Sequence, residues 1–241
     1  MAKPESNRQN KANLSYSAVQ PIICNQPVLL VGGAPIPDSV WNSTQGIATR
    51  VVAADGGADR ALTAGRLPEA VFGDMDSISA ATRKQLRAII APIAEQDTTD
   101  FDKALRHVEA PLVLALGVAG GRQDHHLAAL HVLLRAANKR VVMLSDQSIC
   151  YLCPPELALS PAPGSVFSLF PMGPVGVQST GLRWPTDGLA FAPGRIIGTS
   201  NAALGPVYLR ADAPVMLVIQ PLSELVDAAR ALRSCPHNWP V

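Results

Sequence analysis

Eleven of the nineteen acidic residues fall between Asp55 and Asp124, and eight of those eleven are aspartates. Their placement matters more than their number, because four short apolar runs each lead into an acid- and glycine-bearing segment. VVAA leads into Asp55-Gly56-Gly57, and AVF into Gly73-Asp74-Met75-Asp76. AIIAPIA precedes Glu95-Gln96-Asp97-Thr98-Thr99-Asp100, and LVLAL precedes Gly117-Val118-Ala119-Gly120-Gly121-Arg122-Gln123-Asp124. Carboxylates crowded together repel unless a positive charge joins them. A hard cation such as Mg²⁺ suits this set, since it takes carboxylate, phosphate and water oxygens. An alternative for Asp55 taken alone is a solvated helix cap. In an extended segment Asp74 and Asp76 point to opposite faces, so they reach one ion only if the strand has already turned at Gly73.

No lysine follows a glycine and no G-x-G-x-x-G occurs, so neither common phosphate-binding loop is present. Phosphate handling then falls to metal, to backbone N–H groups at Gly56-Gly57 and Gly120-Gly121, and to Arg122. Cys150-Tyr151-Leu152-Cys153 has metal-ligand spacing but no second pair, which favours buried thiols. There is no H-E-x-x-H and no G-x-S-x-G. His125 adjoins Asp124 and could orient it. Trp184, in a Gly/Pro-rich stretch, is the best of three tryptophans for stacking on a ligand.

The elements that must position these groups come from the hydrophobic pattern. Apolar runs Val28–Val31, Val51–Ala54, Ala70–Phe72, Ala88–Ile93, Leu112–Leu116 and Val141–Leu144 alternate with helical patterns at Ala58–Ala64, Ser79–Arg87, Asp100–Val108 and Asp124–Ala137. That alternation predicts an α/β unit over residues 25–150, a doubly wound, largely parallel sheet covered on both faces. In such a sheet the four strand ends share one edge, where ligands bind. Residues 154–221 hold eleven of the 21 prolines and eight of the 18 glycines. Short strand-like runs lie between them, predicting an antiparallel β-sandwich within residues 151–241. A helix over Leu222–Arg233 closes the chain. Residues 1–24 lack periodicity and read as a disordered arm.

The 241 residues allow one large domain or two modest ones, at roughly 150 per domain. Twenty basic against nineteen acidic residues leave a net charge of +1, so no global field draws the chain to nucleic acid or an anionic membrane. No apolar stretch approaches the roughly 20 residues of a spanning helix, and the first twenty residues have no apolar h-region. Four cysteines do not suggest a disulfide framework at this size, so a cytoplasmic protein is expected.

Taken together, the motifs resemble those of the thiamine pyrophosphokinase family. The matching segments are Ala54–Arg60, Gly73–Ile78, Asp97–Leu105, Gly120–Ala128 and Gly198-Thr199-Ser200-Asn201, in the family's order. The resemblance implies an ATP-binding α/β domain, a thiamine-binding sandwich, and a homodimer with active sites between subunits. It also implies Mg²⁺-dependent transfer of the diphosphoryl group of ATP to thiamine. By matching position, Asp74, Asp76 and Asp100 correspond to the Mg²⁺ acids, and together with Asp124 they form the expected catalytic set. Asp55, Gly56, Gly57, Lys103, Gly120, Gly121, Arg122 and His125 correspond to nucleotide and phosphate contacts. Thr199, Ser200 and Asn201, with Trp184, are the expected thiamine contacts. Ala202 and Ala129 stand where the family often has Glu and Asn. A hydroxymethylpterin diphosphokinase and a non-catalytic thiamine or nucleotide sensor are the alternatives.

Overall fold

The computed structural model describes residues 20–240. The parallel part of the sheet is built from β2 (Val28–Val31), β3 (Arg50–Ala54), β4 (Ala70–Gly73), β5 (Ile90–Pro92), β7 (Val113–Leu116) and β8 (Val141–Leu144). The helices between them are α1 (Asp38–Ser43), α2 (Gly57–Thr63), α3 (Ala80–Gln85), α4 (Asp100–Arg106) and α5 (Gln123–Arg135). Two short strands, β1 (Ile22–Ile23) and β6 (Val108–Glu109), pair with each other alone.

In space the parallel strands run β5-β4-β3-β2-β7-β8. From β2 the chain winds outward through β3 to β5, then crosses back and continues through β7 and β8. The order therefore reverses between β2 and β7, and a crevice opens beyond the carboxyl ends of that pair. Neighbouring residues on each central strand face opposite layers. Leu29, Val31, Leu114 and Leu116 pack with Trp41 of α1 and Ala61 of α2. Val28, Leu30, Val113 and Ala115 pack with Phe101 and Leu105 of α4 and Val132 and Leu133 of α5. Burial on both faces explains why these strands read as unbroken apolar runs.

The C-terminal strands are β9 (Ser148–Leu152), β10 (Glu156–Leu159), β11 (Val166–Pro171), β12 (Val175–Leu182), β13 (Ala190–Phe191), β14 (Gly198–Ala211) and β15 (Met216–Pro221), followed by α6 (Leu225–Ser234). They do not stand apart from the parallel block. β9 pairs antiparallel with β8 on one side and with β15 on the other, making one mixed sheet of thirteen strands. Within it, β14 changes partners. Its first residues pair with β11, and Val207–Arg210 pair with β10 and β12. The buried residues of these strands share one core with Leu225 and Leu232 of α6.

Several boundaries differ from expectation. The arm predicted over 1–24 lies outside the described residues up to 19, while Ile22 and Ile23 pair with Val108 and Glu109. A 3-10 turn at Arg87–Ile89 replaces the start of the predicted Ala88–Ile93 strand, and another at Leu222–Glu224 precedes α6. No helix among the described residues is long and apolar enough to cross a membrane.

Candidate active site

Four strand ends converge as the alternating pattern required. Beyond them lies a cleft of about 810 Å³, bordered by Gly32–Pro35 after β2, Asp55 and Gly56 after β3, Asp74 after β4, Gln96, Thr98–Phe101 and Lys103 near the start of α4, and Gly117, Val118 and Gly120–Arg122 after β7. That volume suits a nucleotide-sized ligand.

β4 ends at Gly73, whose φ of +146° carries the chain into a turn. A side chain at this glycine would place its Cβ 2.9 Å from Asp55 Cβ and 3.0 Å from Asp100 Oδ1. Met75 follows with φ +68°, and the Asp76 N–H donates to Asp74 Oδ1 at 3.3 Å. The turn lets both aspartates face one side, as the spacing required. Asp55, Asp74 and Asp76 each present a carboxylate oxygen, all three within 4.8 Å of one another.

Asp55 is the buried member, 2% exposed and held at φ +43°. Strain of this kind in a non-glycine residue clusters at functional sites. Its Oδ2 accepts from the Ser77 N–H at 3.0 Å, while its buried Oδ1 has no hydrogen-bond partner. Burial pushes the Asp55 carboxyl up to about 6; the Asp100 and Asp76 charges add to the shift and the Ser77 N–H opposes it. An unpartnered buried carboxylate oxygen beside two further carboxylates fits a divalent hard cation.

Asp100, expected as a metal ligand, opens α4 rather than joining that trio. Thr99 caps the helix by accepting from the Asp102 N–H, which sets Asp100 and Lys103 one turn apart. Lys103 is 2% exposed, with Nζ 3.0 Å from Asp100 Oδ1 and 3.3 Å from Asp74 Oδ2. Burial works against its charge, yet Asp100 and Asp74 outweigh it and raise the ammonium above its ordinary range. Burial likewise works against ionised Asp74, but the Asp76 N–H and Lys103 hold its carboxyl below the usual range. Asp74 and Asp100 thus share one ammonium while Asp55 and Asp76 lie beside them without one, leaving net negative charge at the head of the cleft.

The other expected residues divide. Gly56, Gly120, Gly121, Arg122 and His125 line the cleft. Gly57 does not: a Cβ there would lie 1.9 Å from Val31 O, so this glycine lets α2 seat on β2. Asp124, expected in the catalytic set, is 62% exposed at its side chain and absent from the lining. Its carboxylate accepts from Arg122 at 2.6 Å, and that bond lowers its pKa to about 2. None of Thr199, Ser200, Asn201 and Trp184 borders the cleft of this chain. They form a separate group, in which Asn201 accepts from the Trp184 N–H and donates to the Trp184 carbonyl. Ser200 has φ +63°, and the Trp184 ring is 55% exposed under the Arg183 guanidinium.

Sequence reasoning missed Gly32–Pro35 and gave no role to Arg60, Ser77 and Gln96, which lie within segments it had marked. The first was within reach, because VLLV followed by Gly-Gly repeats the strand–glycine pattern of the other ends. Gln96 donates to Asp74 Oδ2 at 3.3 Å, and Arg60 donates to Gly33 O at 3.0 Å, and neither contact has a local sequence signature. Asp59, also on the border, accepts from the Ser79 N–H and the Ser79 and Thr82 hydroxyls and so ties α2 to α3. The four cysteines are free, and burial raises Cys150 and Cys153 to about 12, which makes inert thiols of them.

Comparison with known proteins agrees with this geometry. Residues 39–144 match the family described as thiamin pyrophosphokinase, catalytic domain, and residues 156–216 match its vitamin B1 binding domain. Thiamine pyrophosphokinase 1 of Oryza sativa subsp. japonica is 34% identical over 154 residues, covering 56% of this chain and 58% of that protein. The chain therefore spans less than two thirds of that relative. The crystal structure of thiamine pyrophosphokinase from Bacillus subtilis superimposes with a TM-score of 0.68 at 23% identity, over 81% of this chain and 99% of that one. Yeast thiamin pyrophosphokinase gives 0.66 at 17% identity, over 94% and 98%. At such identities the superpositions show a common fold.

Proposed function

The chain belongs to the thiamin pyrophosphokinase family, and from that premise we propose that it transfers the diphosphoryl group of ATP to the hydroxyl of thiamine, releasing AMP. The observation that carries this reading is the trio Asp55, Asp74 and Asp76 at the head of a nucleotide-sized cleft, with a buried Asp55 oxygen unpartnered.

The hydroxyl oxygen forms a bond to the β-phosphorus as the bond from that phosphorus to the α-phosphate oxygen breaks. The electron pair leaves on AMP and the hydroxyl proton goes to a carboxylate. Such a reaction needs alignment and charge neutralisation more than covalent help. Asp55, Asp74 and Asp76 would hold Mg²⁺, which when bound neutralises phosphate oxygens. Asp100 stands outside the trio and lines the cleft, so it is the carboxylate placed to orient the hydroxyl and take its proton. Lys103 supplies a buried positive charge beside it, and Arg122 and Arg60 supply two more along the wall. Gly120 and Gly121 keep the border free of side chains where phosphates approach.

In this reading the doubly wound block, residues 25–150, binds the nucleotide and a sandwich formed by residues 151–241 binds thiamine. Thr199, Ser200, Asn201 and Trp184 then serve the cleft of a second copy in a homodimer. Their separation from the cleft of their own chain and the exposure of Trp184 support that arrangement. Purified protein given ATP, Mg²⁺ and thiamine releases AMP in proportion to thiamine diphosphate formed. No thiamine-dependent AMP overturns the reading, and turnover only with a hydroxymethylpterin reassigns the acceptor.

A further inference from the structure

The segment between β5 and α4, residues 93–99, has no regular structure, yet it puts Gln96 and Thr98 on the border of the cleft. Backbone bonds tie only its ends. The Ile93 N–H donates to the Gly73 carbonyl at 2.7 Å, and the Lys103 N–H donates to the Thr99 carbonyl at 2.9 Å. Among the described residues, 94–98 make no backbone–backbone hydrogen bond, so their conformation rests on side chains. On the cleft side Gln96 donates to Asp74 Oδ2 at 3.3 Å. On the outer side the Thr98 hydroxyl donates to Glu95 Oε1 at 2.6 Å. Arg106 Nη2 donates to Glu95 Oε2 at 2.8 Å and to the Thr98 hydroxyl at 3.2 Å.

Arg106 does not border the cleft. It lies on another face of α4 from Asp100 and Lys103, one turn beyond Asp102. Its Nε stands 3.2 Å from Asp102 Oδ2, and Arg135 Nη1, at the end of α5, stands 3.6 Å from the same oxygen. The Asp102 side chain is only 7% exposed. An exposed ion pair alone fixes little, but removing a partner from a buried carboxylate is costly. Asp102 therefore anchors the arginine, whose planar fork reaches the helix at Nε and the irregular segment at Nη2, a geometry lysine does not offer.

We infer that Arg106 is a positioning residue: from outside the cleft it holds Glu95 and Thr98, and through Gln96 it orients the Asp74 carboxylate for a cation. The inference rests on reading Asp55, Asp74 and Asp76 as a cation site and adds the device that keeps one ligand in place. Asp74 accepts from the Asp76 N–H in the turn after β4 and from Lys103 on α4. Gln96 is its one donor from a segment without regular structure, so this contact depends on the outer bonds.

Two variants break those bonds differently. Arg106→Ala removes the arginine, whereas Glu95→Ala removes its partner and leaves Asp102 with both arginines. Mn²⁺, which suits the same carboxylate ligands as Mg²⁺, is titrated into each protein without nucleotide, and the free ion is read by electron paramagnetic resonance. Both variants should bind Mn²⁺ about tenfold more weakly than wild type, as for loss of a group that orients a metal ligand, with circular dichroism retained. In turnover the Mg²⁺ requirement should rise by a similar factor, with the thiamine KM unchanged and kcat recovered at saturating Mg²⁺. Adding Gln96→Ala to Glu95→Ala should weaken Mn²⁺ no further than Gln96→Ala alone, because both break one path. Wild-type Mn²⁺ affinity in Glu95→Ala overturns the inference, since a defect confined to Arg106→Ala belongs to the buried Asp102. Additive losses in the double variant overturn it too. Wild type that binds no Mn²⁺ overturns the cation site and this inference with it. Mn²⁺ shifts as expected, but without thiamine-dependent AMP, overturn the activity reading and leave the role of Arg106 standing.

Discussion

The site has a measurable energetic cost at Asp55. Its carboxyl rises from an ordinary 3.8 to about 6 because folding buries it. Roughly two units at 1.36 kcal/mol each make about 3 kcal/mol of stability at stake. The native state holds this proton more tightly than the unfolded chain, so stability is fully present below about pH 4. It is lost as pH rises through about 6, since ∂ΔG/∂pH is negative wherever the native state binds more protons. Asp59 and Asp74 are held below their ordinary range and act in the opposite sense, in a lower window. Asp55→Asn isolates the contribution of this carboxyl. Asparagine tolerates the φ of +43° and its carbonyl can still accept from the Ser77 N–H. The assay is urea unfolding in EDTA at about pH 4.5 and about pH 7.5. Wild type should lose about 2 kcal/mol more than Asp55→Asn between those values, since at about pH 4.5 the unfolded chain has already released most of this proton. Millimolar Mg²⁺ should restore most of that loss in wild type at the higher pH and do little for the variant. Equal pH slopes in the two proteins refute the burial argument. Equal Mg²⁺ stabilisation removes Asp55 from the cation site.

Asp74→Asn should cut kcat/KM by about a hundredfold or more, in line with the loss of a metal-holding acid, with the thermal midpoint near wild type. Unchanged AMP release would take Asp74 out of the site. Gly57→Ala should cost about 3 kcal/mol or more in urea unfolding, because its Cβ would lie 1.9 Å from Val31 O and α2 would have to lift from β2. Wild-type stability would mean that α2 is not seated this way. Trp184→Ala should raise the thiamine KM about tenfold, as for loss of an aromatic anchor, and leave the ATP KM alone. Sedimentation that finds a monomer with the same thiamine KM would break the link between this residue and a neighbour's cleft.

The parallel block was legible because its strands are buried on both faces, which writes them as unbroken apolar runs. Val28–Val31 and Val141–Leu144 begin and end as predicted. β9 was not, because its residues Ile149 to Leu152 alternate between core and partial exposure and carry the cysteines that drew attention as a possible site. That strand joins the parallel and antiparallel blocks into one sheet, so missing it made the C-terminal half look separate. β14 was not legible as one element, since Gly205 and Pro206 interrupt the pattern of a strand that runs from Gly198 to Ala211. Exchange of partners from β11 to β10 and β12 spans that interruption, and a change of partner leaves no trace in local composition.

Among the acids, the sequence distinguished location but not role. Every aspartate after a strand end had the same claim to a cation, and folding separated them by burial. Asp124 lies one residue inside an exposed helix start and pairs with Arg122, which satisfies its charge locally and keeps it off the cleft wall. Asp55 is the reverse case. It follows β3 directly, is drawn under the Ser77 turn, and keeps one oxygen without a partner. Lys103 explains why the cluster can persist without an ion. With Nζ within 3.3 Å of both Asp74 and Asp100, it stabilises those two charges and leaves Asp55 and Asp76 uncompensated. The protein is thus folded around an incomplete neutralisation, and the deficit is centred on Asp55, which borders the cleft, and its neighbour Asp76. On the proposed reading, a cation held by these acids would supply the missing charge, and its binding would be coupled to relief of the buried Asp55.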